Sequence, residues 1–301
     1  MDLGMIGLGR MGANMAERLL RGGHRVAGFD PGEAARIAAA ARGVEVAGSL
    51  PDLVALLPAP RALWLMVPAG LIVDDTIAAL RPLLAPGDVV IDGGNSFYRD
   101  SQRRAALAAE HGLGWLDVGT SGGIWGLEEG YSLTIGGDAA LAQRLAPLFR
   151  TLAPAPERGW GHVGPAGAGH FAKMVHNGIE YGLMQAYAEG FAILQRKQDL
   201  GFDLAQVADI WREGSVVRSW LLDLAADALR GNPALDGIAP FVADSGEGRW
   251  TVAEAIDLDV AAPVITQALL ERLRSRDDDA FADKLLAALR DAFGGHGVKR
   301  D

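Results

Sequence analysis

Five polar side chains at helical spacing mark the segment of the chain that is best equipped for chemistry. They are Lys173, His176, Asn177, Glu180 and Tyr181, in the run KMVHNGIEYG. Offsets of three, four, seven and eight residues from the lysine place all five on one face of an α-helix. Amines, imidazoles and carboxyls are groups that take up and release protons during reactions. The pattern therefore predicts a polar stripe that lines a cavity rather than a purely structural helix.

The alternative is that this stripe is the ordinary solvated face of a surface helix. The neighbouring residues argue against it, because Phe171, Met174, Val175 and Ile179 leave no cleanly apolar opposite face. A helix that is apolar around most of its circumference is expected to be buried, and buried polar groups need partners. We therefore expect this helix to be largely buried.

The composition restricts the class of protein. A chain of 301 residues is long enough for two domains with a substantial core. The formal net charge of −10 argues against a nucleic-acid surface, which needs a basic footprint, so an anionic substrate requires a local cationic pocket. The absence of cysteine excludes disulfides, thiol chemistry and cysteine-bound metal, and no other set of metal ligands stands out.

The chain shows neither a signal peptide nor an apolar run of membrane-spanning length. From these two features we expect a cytoplasmic protein that does not bind a membrane.

The N-terminal segment carries the pattern of a dinucleotide-binding domain. A short apolar strand is followed by a glycine-rich turn, an amphipathic helix and a second apolar strand that ends in Asp30. This is the Rossmann context, in which the glycines bring a pyrophosphate to a helix N-terminus and the acid binds the adenosine ribose. The candidate cofactor-binding residues of the turn are Gly7, Leu8, Gly9, Arg10, Met11 and Gly12.

Further strands alternate with helices up to the segment WGHVG, and several of them end in polar turns. Ligands of doubly wound sheets bind at the carboxyl ends of the strands. Val67 and Pro68 are therefore candidate cofactor contacts, and Asn95 is a candidate contact for cofactor and substrate, although Asn95 suits a simple turn equally well. Backbone amides and a hydroxyl at Ser121, Gly122 and Gly123 form a candidate anion cradle.

The strand signal stops after Val163, and the remaining sequence reads as helices and turns. We therefore predict an α/β fold with an N-terminal Rossmann domain, a doubly wound sheet, over residues 1–163. Residues 164–301 are predicted to form an all-α C-terminal domain for substrate binding and dimerisation, with the polar stripe on its first helix.

With these motifs the chain resembles the decarboxylating 6-phosphogluconate dehydrogenases, in their short form, within the β-hydroxyacid dehydrogenase superfamily. The resemblance runs from GLGRMGANMA to RDAFGGH and includes IDGGNS, HFAKMVHNGIEYG and RWT. It implies oxidative decarboxylation of 6-phosphogluconate to ribulose 5-phosphate and CO2 with reduction of NAD(P)+. That reaction serves the pentose phosphate pathway and gluconate utilisation.

The resemblance also implies roles for individual residues. It makes Lys173 the general base and Glu180 the general acid. The contacts to the sugar acid that it implies are Asn95, Ser121, Gly122, Gly123, His176 and Asn177, and the phosphate contacts are Tyr181 and Arg272. A lysine of the long form precedes its tryptophan-threonine pair, where this chain has Arg249 in the shorter segment ADSGEGRWT, so a phosphate role for Arg249 is left open.

The C-terminal tail and the cofactor preference complete these expectations. The resemblance implies a homodimer or higher homo-oligomer in which Arg290 and His296 reach the neighbouring subunit's site. A solvated terminus is the alternative for this glycine-rich tail. Asp30 accepts the 2′-hydroxyl of NAD but repels a 2′-phosphate, and Pro31 follows it, so we expect NAD to be preferred and NADP to be possible.

Two other functions stay open at this point. One is an oxidoreductase of the same superfamily that acts on a small 3-hydroxy acid, and the cations Arg272, Arg290 and His296 argue against it. The other is a non-catalytic NAD-binding protein, which would have no need of both Lys173 and Glu180.

Overall fold

The computed structural model of the protein describes residues 1–294 and residue 299. The described chain divides into two compact units, the first comprising Met1–Asn177 and the second beginning at Gly178.

The first unit contains one sheet whose eight strands, within the described residues, lie in the order β3-β2-β1-β4-β5-β6-β7-β8. All neighbouring strands run parallel except β7, which is antiparallel to β6. The chain order reverses between β1 and β4, which is the switch point of a doubly wound sheet. The strands are β1 (Asp2–Ile6), β2 (Arg25–Phe29), β3 (Glu45–Val46), β4 (Ala62–Leu65), β5 (Val89–Asp92), β6 (Gly114–Ser121), β7 (Ser132–Gly137) and β8 (Trp160–Gly164).

Alternate residues of the central strands enter two separate cores, one on each face of the sheet. Met5 and Trp64 belong to one core, whereas Ile6 and Leu65 belong to the other. Burial on both faces explains why these strands are almost continuously apolar in sequence. The flanking helices are α1 (Arg10–Arg21), α2 (Glu33–Ala40), α3 (Leu50–Ala55), α4 (Leu71–Leu80), α5 (Tyr98–Glu110), α6 (Gly126–Glu129), α7 (Ala139–Arg144) and α8 (Ala146–Leu152). The predicted Rossmann fold is thereby confirmed.

A single long helix, α9 (Ala168–Arg196), carries the polar stripe and runs on past the end of the first unit. The expectation that this helix is largely buried is wrong for part of it. Ile179, Leu183 and Ile193 are all exposed, Ile193 to 70%, whereas Met174 is 3% exposed. Some of the apolar residues of α9 therefore lie on the surface of the described chain. The predicted domain boundary after residue 163 stays a prediction.

The second unit contains helices and no strand among its described residues, as the sequence predicted. Its further helices are α10 (Leu204–Arg212), α11 (Trp220–Gly231), α12 (Glu247–Asp257), α13 (Pro263–Arg274) and α14 (Phe281–Gly294). Helix α12 begins at Glu247, so Glu247 and Arg249 both lie in its first turn. Two small apolar clusters form its core, one around Phe191 and Leu222 and one around Tyr181.

No helix in the described part of the chain combines the length and the apolarity needed to cross a membrane.

Buried charges hold two turns at the carboxyl edge of the sheet. Arg104 of α5 is 2% exposed and pairs with Asp92 at the end of β5 and with Asp74 of α4. Its guanidinium also donates to the Ser96 hydroxyl at 3.2 Å and to the Gly70 carbonyl at 3.0 Å. Hydrogen bonds from Arg104 hold the pKa of Asp74 below its ordinary value. The turns that follow β4 and β5 are therefore tied to one side chain.

We predict that Arg104→Met lowers the free energy of unfolding by about 3–5 kcal/mol, because Asp92 would remain buried without its cation. Urea denaturation followed by circular dichroism measures this loss. Arg103→Met is the matched control, since Arg103 also pairs with Asp74 but its side chain is 48% exposed. The control should lose about 1 kcal/mol or less. Equal losses for the two variants would contradict the role assigned to Arg104.

Candidate active site

The glycine-rich turn between β1 and α1 has the geometry of an anion-binding turn. Gly7 has a φ of +92°, and a Cβ atom at this position would lie 2.4 Å from the Met66 carbonyl oxygen. A Cβ atom at Gly12 would lie 2.0 Å from the Gly7 carbonyl oxygen, so helix and strand approach closely. Gly9 faces open space, and no described side chain caps the helix there. Its first amides can therefore meet a phosphate group.

The other residues of this turn fall into two groups. Leu8 is buried and Met11 packs against the core, whereas Arg10 is exposed. Asp30 follows β2, and its carboxylate accepts the amide protons of Leu8 and Gly32, each at 2.8 Å. The acid is thus fixed beside the glycine turn, as the binding of an adenosine ribose requires.

Two of the predicted polar turns, those that follow β4 and β5, lie side by side at the carboxyl edge of the sheet. Val67 packs against the core while Pro68 and Asn95 are exposed. A Cβ atom at Gly94 would lie 2.9 Å from the Val67 carbonyl oxygen, which shows how closely the two turns approach. Asp92 anchors the second turn, because its carboxylate accepts the Gly94 amide at 3.2 Å. Asn95 is therefore an exposed residue of a turn that Asp92 holds in place.

The predicted anion cradle lies at the end of β6. Gly122 and Gly123 have φ angles of +133° and +54°, which favour glycine. Ser121 and Gly122 are partly buried and Gly123 is exposed, so the turn is accessible. The Tyr131 ring supports the turn, since a Cβ atom at Gly122 would lie 3.1 Å from it. Burial raises the pKa of Tyr131 to about 12, so this support stays neutral.

Three members of the polar stripe form a hydrogen-bonded cluster. The Lys173 amine donates to the Asn177 Oδ1 at 2.8 Å and lies 3.3 Å from the His176 Nδ1. The same imidazole nitrogen lies 3.0 Å from the Asn177 oxygen. Lys173 and Asn177 are partly buried and His176 is exposed. The cluster presents an amine whose position is fixed by two neighbours, as a proton-transferring group requires.

The remaining stripe residues belong to the second unit. Glu180 is partly buried, and its offset of seven residues from Lys173 corresponds to two helical turns, about 11 Å. Tyr181 is buried, and its hydroxyl has no hydrogen-bond partner among the described residues. The Arg272 guanidinium lies over the Tyr181 ring, 3.5 Å from its centre, and donates to the Ala243 carbonyl. A buried hydroxyl without a partner next to a guanidinium fits an anionic ligand.

A buried carboxylate in the second unit binds two arginine side chains. Asp244, whose side chain is 3% exposed, accepts the Arg249 Nε at 2.5 Å and lies 3.5 Å from Arg276. Burial alone would raise the pKa of Asp244, but hydrogen bonds from Arg249 and the Gly246 amide outweigh it and hold the pKa below its ordinary value. Because Arg249 is bound through its Nε, its terminal nitrogens remain to meet a ligand.

Only one of the two predicted tail residues lies in the described part of the chain. Arg290 is an exposed residue of α14, and His296 lies outside the described residues. Sequence reasoning missed Asp117, Asp244 and Arg276. The signal for Asp117 was an acidic residue inside the otherwise apolar strand DVGTSGG, since a buried acid must have partners. Asp244 and Arg276 carried no comparable signal.

Comparison with known proteins agrees with this geometry. Residues 2–163 match the family described as the NAD binding domain of 6-phosphogluconate dehydrogenase, and residues 169–282 match the 6-phosphogluconate dehydrogenase C-terminal domain. An NAD(+)-dependent, decarboxylating 6-phosphogluconate dehydrogenase of Haloferax volcanii is 47% identical over 302 residues, covering 100% of this chain and 99% of that protein.

Longer relatives match over part of their length. A decarboxylating 6-phosphogluconate dehydrogenase of Bacillus licheniformis is 38% identical over 300 residues, which cover 95% of this chain and 64% of that protein. The fold is also similar to that of Plasmodium falciparum 6-phosphogluconate dehydrogenase, with a TM-score of 0.84 and 29% identity over 100% of this chain and 66% of that one. That enzyme was solved without ligand, with NADP+ and with 6-phosphogluconate. Since both domain families match and a relative is similar over its full length, the chain belongs to the 6-phosphogluconate dehydrogenase family.

Proposed function

We propose that the protein oxidises and decarboxylates 6-phospho-D-gluconate to D-ribulose 5-phosphate and CO2, and that it reduces NAD+ in doing so. The main structural support for this proposal is the position of the Lys173 amine. It is bound by Asn177 and lies beside His176, on the helix that follows a dinucleotide-binding sheet. The Haloferax volcanii relative supports both the reaction and the cofactor.

Lys173 is assigned as the general base. When its amine is unprotonated it takes the proton of the C3 hydroxyl, and a hydride leaves the same carbon. Asn177 and His176 hold the amine at that position. The protonated amine then polarises the C3 carbonyl of the resulting keto acid, so that CO2 can leave and an enediol remains.

Glu180 is assigned as the general acid. The enediol needs a proton at C1, and a carboxyl group two helical turns from the amine can deliver it to the other end of a short sugar acid. Asn95 and the turn Ser121–Gly123 supply an amide, a hydroxyl and backbone amides for the sugar-acid hydroxyls and carboxylate.

Tyr181, Arg272 and Arg249 are assigned to the phosphate group. The Tyr181 hydroxyl is buried without a partner among the described residues, and a phosphate oxygen would satisfy it. Arg272 lies against the same ring, and Asp244 holds Arg249 by its Nε. A substrate without a phosphate would have no use for these groups, which argues against a small 3-hydroxy acid.

The glycine turn and Asp30 fit a bound NAD. Gly9 is open, the first amides of α1 can bind the pyrophosphate, and the Asp30 carboxylate is fixed for the ribose hydroxyls. When bound, the nicotinamide supplies the hydride acceptor. Val67, Pro68 and Asn95 lie on the rim where they can orient it.

A homodimer is the assembly that we propose, with Arg290 and His296 completing the neighbouring site. Large exposed apolar areas mark interfaces, and the second unit exposes many such residues, including Val216 at 99%. A second copy can cover them through a two-fold axis. A cytoplasmic location stays a prediction.

The function is tested by turnover of 6-phosphogluconate with NAD+, which should give NADH and CO2 in equal amounts. Lys173→Ala should lower kcat by about 10²–10⁴-fold, because both the oxidation and the decarboxylation need the amine. Glu180→Gln should keep a first burst of NADH, because the acid acts after hydride transfer, and should lower steady turnover by about 10²-fold. Wild-type protein that forms NADH without CO2 would contradict the reaction, and a folded Lys173→Ala protein with near wild-type kcat would contradict the base.

Cofactor choice is predicted to follow from Asp30. The ratio of kcat/KM for NAD over NADP should exceed one, and Asp30→Ala should lower it by about tenfold, because the repulsion of a 2′-phosphate is lost. Glu110→Ala, at the exposed end of α5, makes the same charge change elsewhere and should leave the ratio unaltered. If the wild-type protein has a kcat/KM ratio of NAD over NADP below one, Asp30 does not select NAD.

Sharing of sites between subunits can be tested by mixing a Lys173→Ala protein with an Arg290→Ala protein. If the tail serves the neighbouring site, each hybrid dimer has one site with neither change. Equal mixing with free exchange should then restore about a quarter of the wild-type activity, since half of the dimers are hybrids. Hybrids confirmed by mass spectrometry that regain no activity would show that the tail does not complete the partner's site.

A further inference from the structure

A fully buried carboxylate in β6 binds the beginning of helix α9. Asp117 is 0% exposed, and the mechanism proposed above does not use it. Its Oδ1 accepts the Gly167 amide at 2.7 Å, and its Oδ2 accepts the His170 amide at 2.9 Å. Two backbone amides at a helix N-terminus, rather than a cationic side chain, thus stabilise this charge. Both amides belong to the segment that leads into Lys173.

Close packing joins the same strand to the lysine itself. A Cβ atom at Gly119 would lie 2.4 Å from the Cβ of Lys173, so the lysine lies directly on β6. One turn earlier, a Cβ atom at Gly169 would lie 2.3 Å from the Asp117 carbonyl oxygen. The Thr134 hydroxyl of β7 donates to the Gly169 carbonyl at 2.9 Å. These contacts therefore fix the position of the first two turns of α9 on the sheet.

A second anchor holds the helix from another side. The His170 ring is 2% exposed, and its Nδ1 lies 2.6 Å from the Ser101 hydroxyl of α5. This contact limits rotation of α9 about its axis, while Asp117 limits its translation along the sheet. Ser121, which ends β6 four residues after Asp117, is thereby set at a fixed position relative to Lys173.

We propose that Asp117 is a positioning residue for Lys173. It fixes the first turn of α9 on β6 and so sets where the lysine amine lies relative to the turn at Ser121. The proposal rests on the proposed function, in which Lys173 is the base. Asp117 is fully buried, so it acts through the helix and not by contact with a ligand. A displacement of about 1 Å in a catalytic group can lower a rate by about 10²-fold, so loss of this anchor should act on turnover.

Asp117→Asn is the informative substitution. It keeps the shape of the side chain but leaves one acceptor oxygen for two amides and removes the charge that favours the helix N-terminus. We expect kcat to fall by about 10–100-fold, with KM for NAD+ and for 6-phosphogluconate changing by less than about twofold. Hydrogen exchange should become faster at the amides of residues 170–172, with smaller changes elsewhere in the sheet.

Asp88→Asn is the matched control. Asp88 is also 0% exposed and also accepts two backbone amides, from Arg61 at 2.6 Å and Ala85 at 3.0 Å, and in addition it pairs with the Arg61 guanidinium at 3.0 Å. It directly precedes β5, at the edge of the sheet opposite to the rim turns. Asp88→Asn should lower the melting temperature as much as Asp117→Asn or more, and it should leave kcat within about twofold of the wild type.

A double-mutant cycle separates positioning from a general structural effect. Asp117→Asn is made in the wild type and in Lys173→Ala, whose residual turnover is raised with an added primary amine. If Asp117 acts through Lys173, its loss lowers turnover in the first background and changes it by less than about twofold in the second.

Three outcomes would overturn the proposal: an equal fold-loss in both backgrounds, an equal loss of kcat in Asp88→Asn, or an Asp117→Asn protein that does not fold at 25 °C. The last would make Asp117 a residue of global stability. Failure of the proposed function is recognised separately, because a folded Lys173→Ala protein would then retain wild-type turnover regardless of Asp117.

Discussion

The contact between strand β6 and the first turns of α9 is the constraint on which the candidate site depends. Lys173 lies against Gly119, and the buried Asp117 binds two amides at the start of the helix. Because β6 ends at Ser121, one strand sets the position of both the amine and the candidate anion cradle. A larger residue at Gly119 would separate helix and strand, so the geometry of the site depends on a position that carries no functional group.

Polar side chains hold the rest of the carboxyl edge of the sheet. Arg104 ties the turns after β4 and β5 through Asp74 and Asp92, and Asp30 ties β2 to the glycine turn. Directional bonds of this kind fix a backbone more narrowly than apolar contacts, and their loss leaves a buried charge uncompensated. The edge of the sheet is therefore stiff where a cofactor and a sugar acid would bind.

The second unit presents a different balance. Its small apolar clusters leave many large side chains exposed, whereas Asp244 holds Arg249 and Arg276 in a defined arrangement. The exposed apolar surface is the area that the proposed homodimer would cover. The sequence predicted these helices but overestimated the burial of α9, since helical periodicity does not reveal whether a partner lies in the same subunit or in another.

The sequence by itself determined what depends on local spacing. The glycine turn followed by Asp30 specified the dinucleotide-binding domain, and the polar stripe of α9 placed Lys173 and Asn177 within hydrogen-bond distance. Only the tertiary structure decided which buried acids hold the candidate site, because Asp117 meets the helix start from fifty residues away and Asp244 lies 3.5 Å from Arg276, which follows α13. Contacts of that kind depend on how strands and helices pack. The spacing of residues along the chain does not show which buried acid will bind which amide or guanidinium.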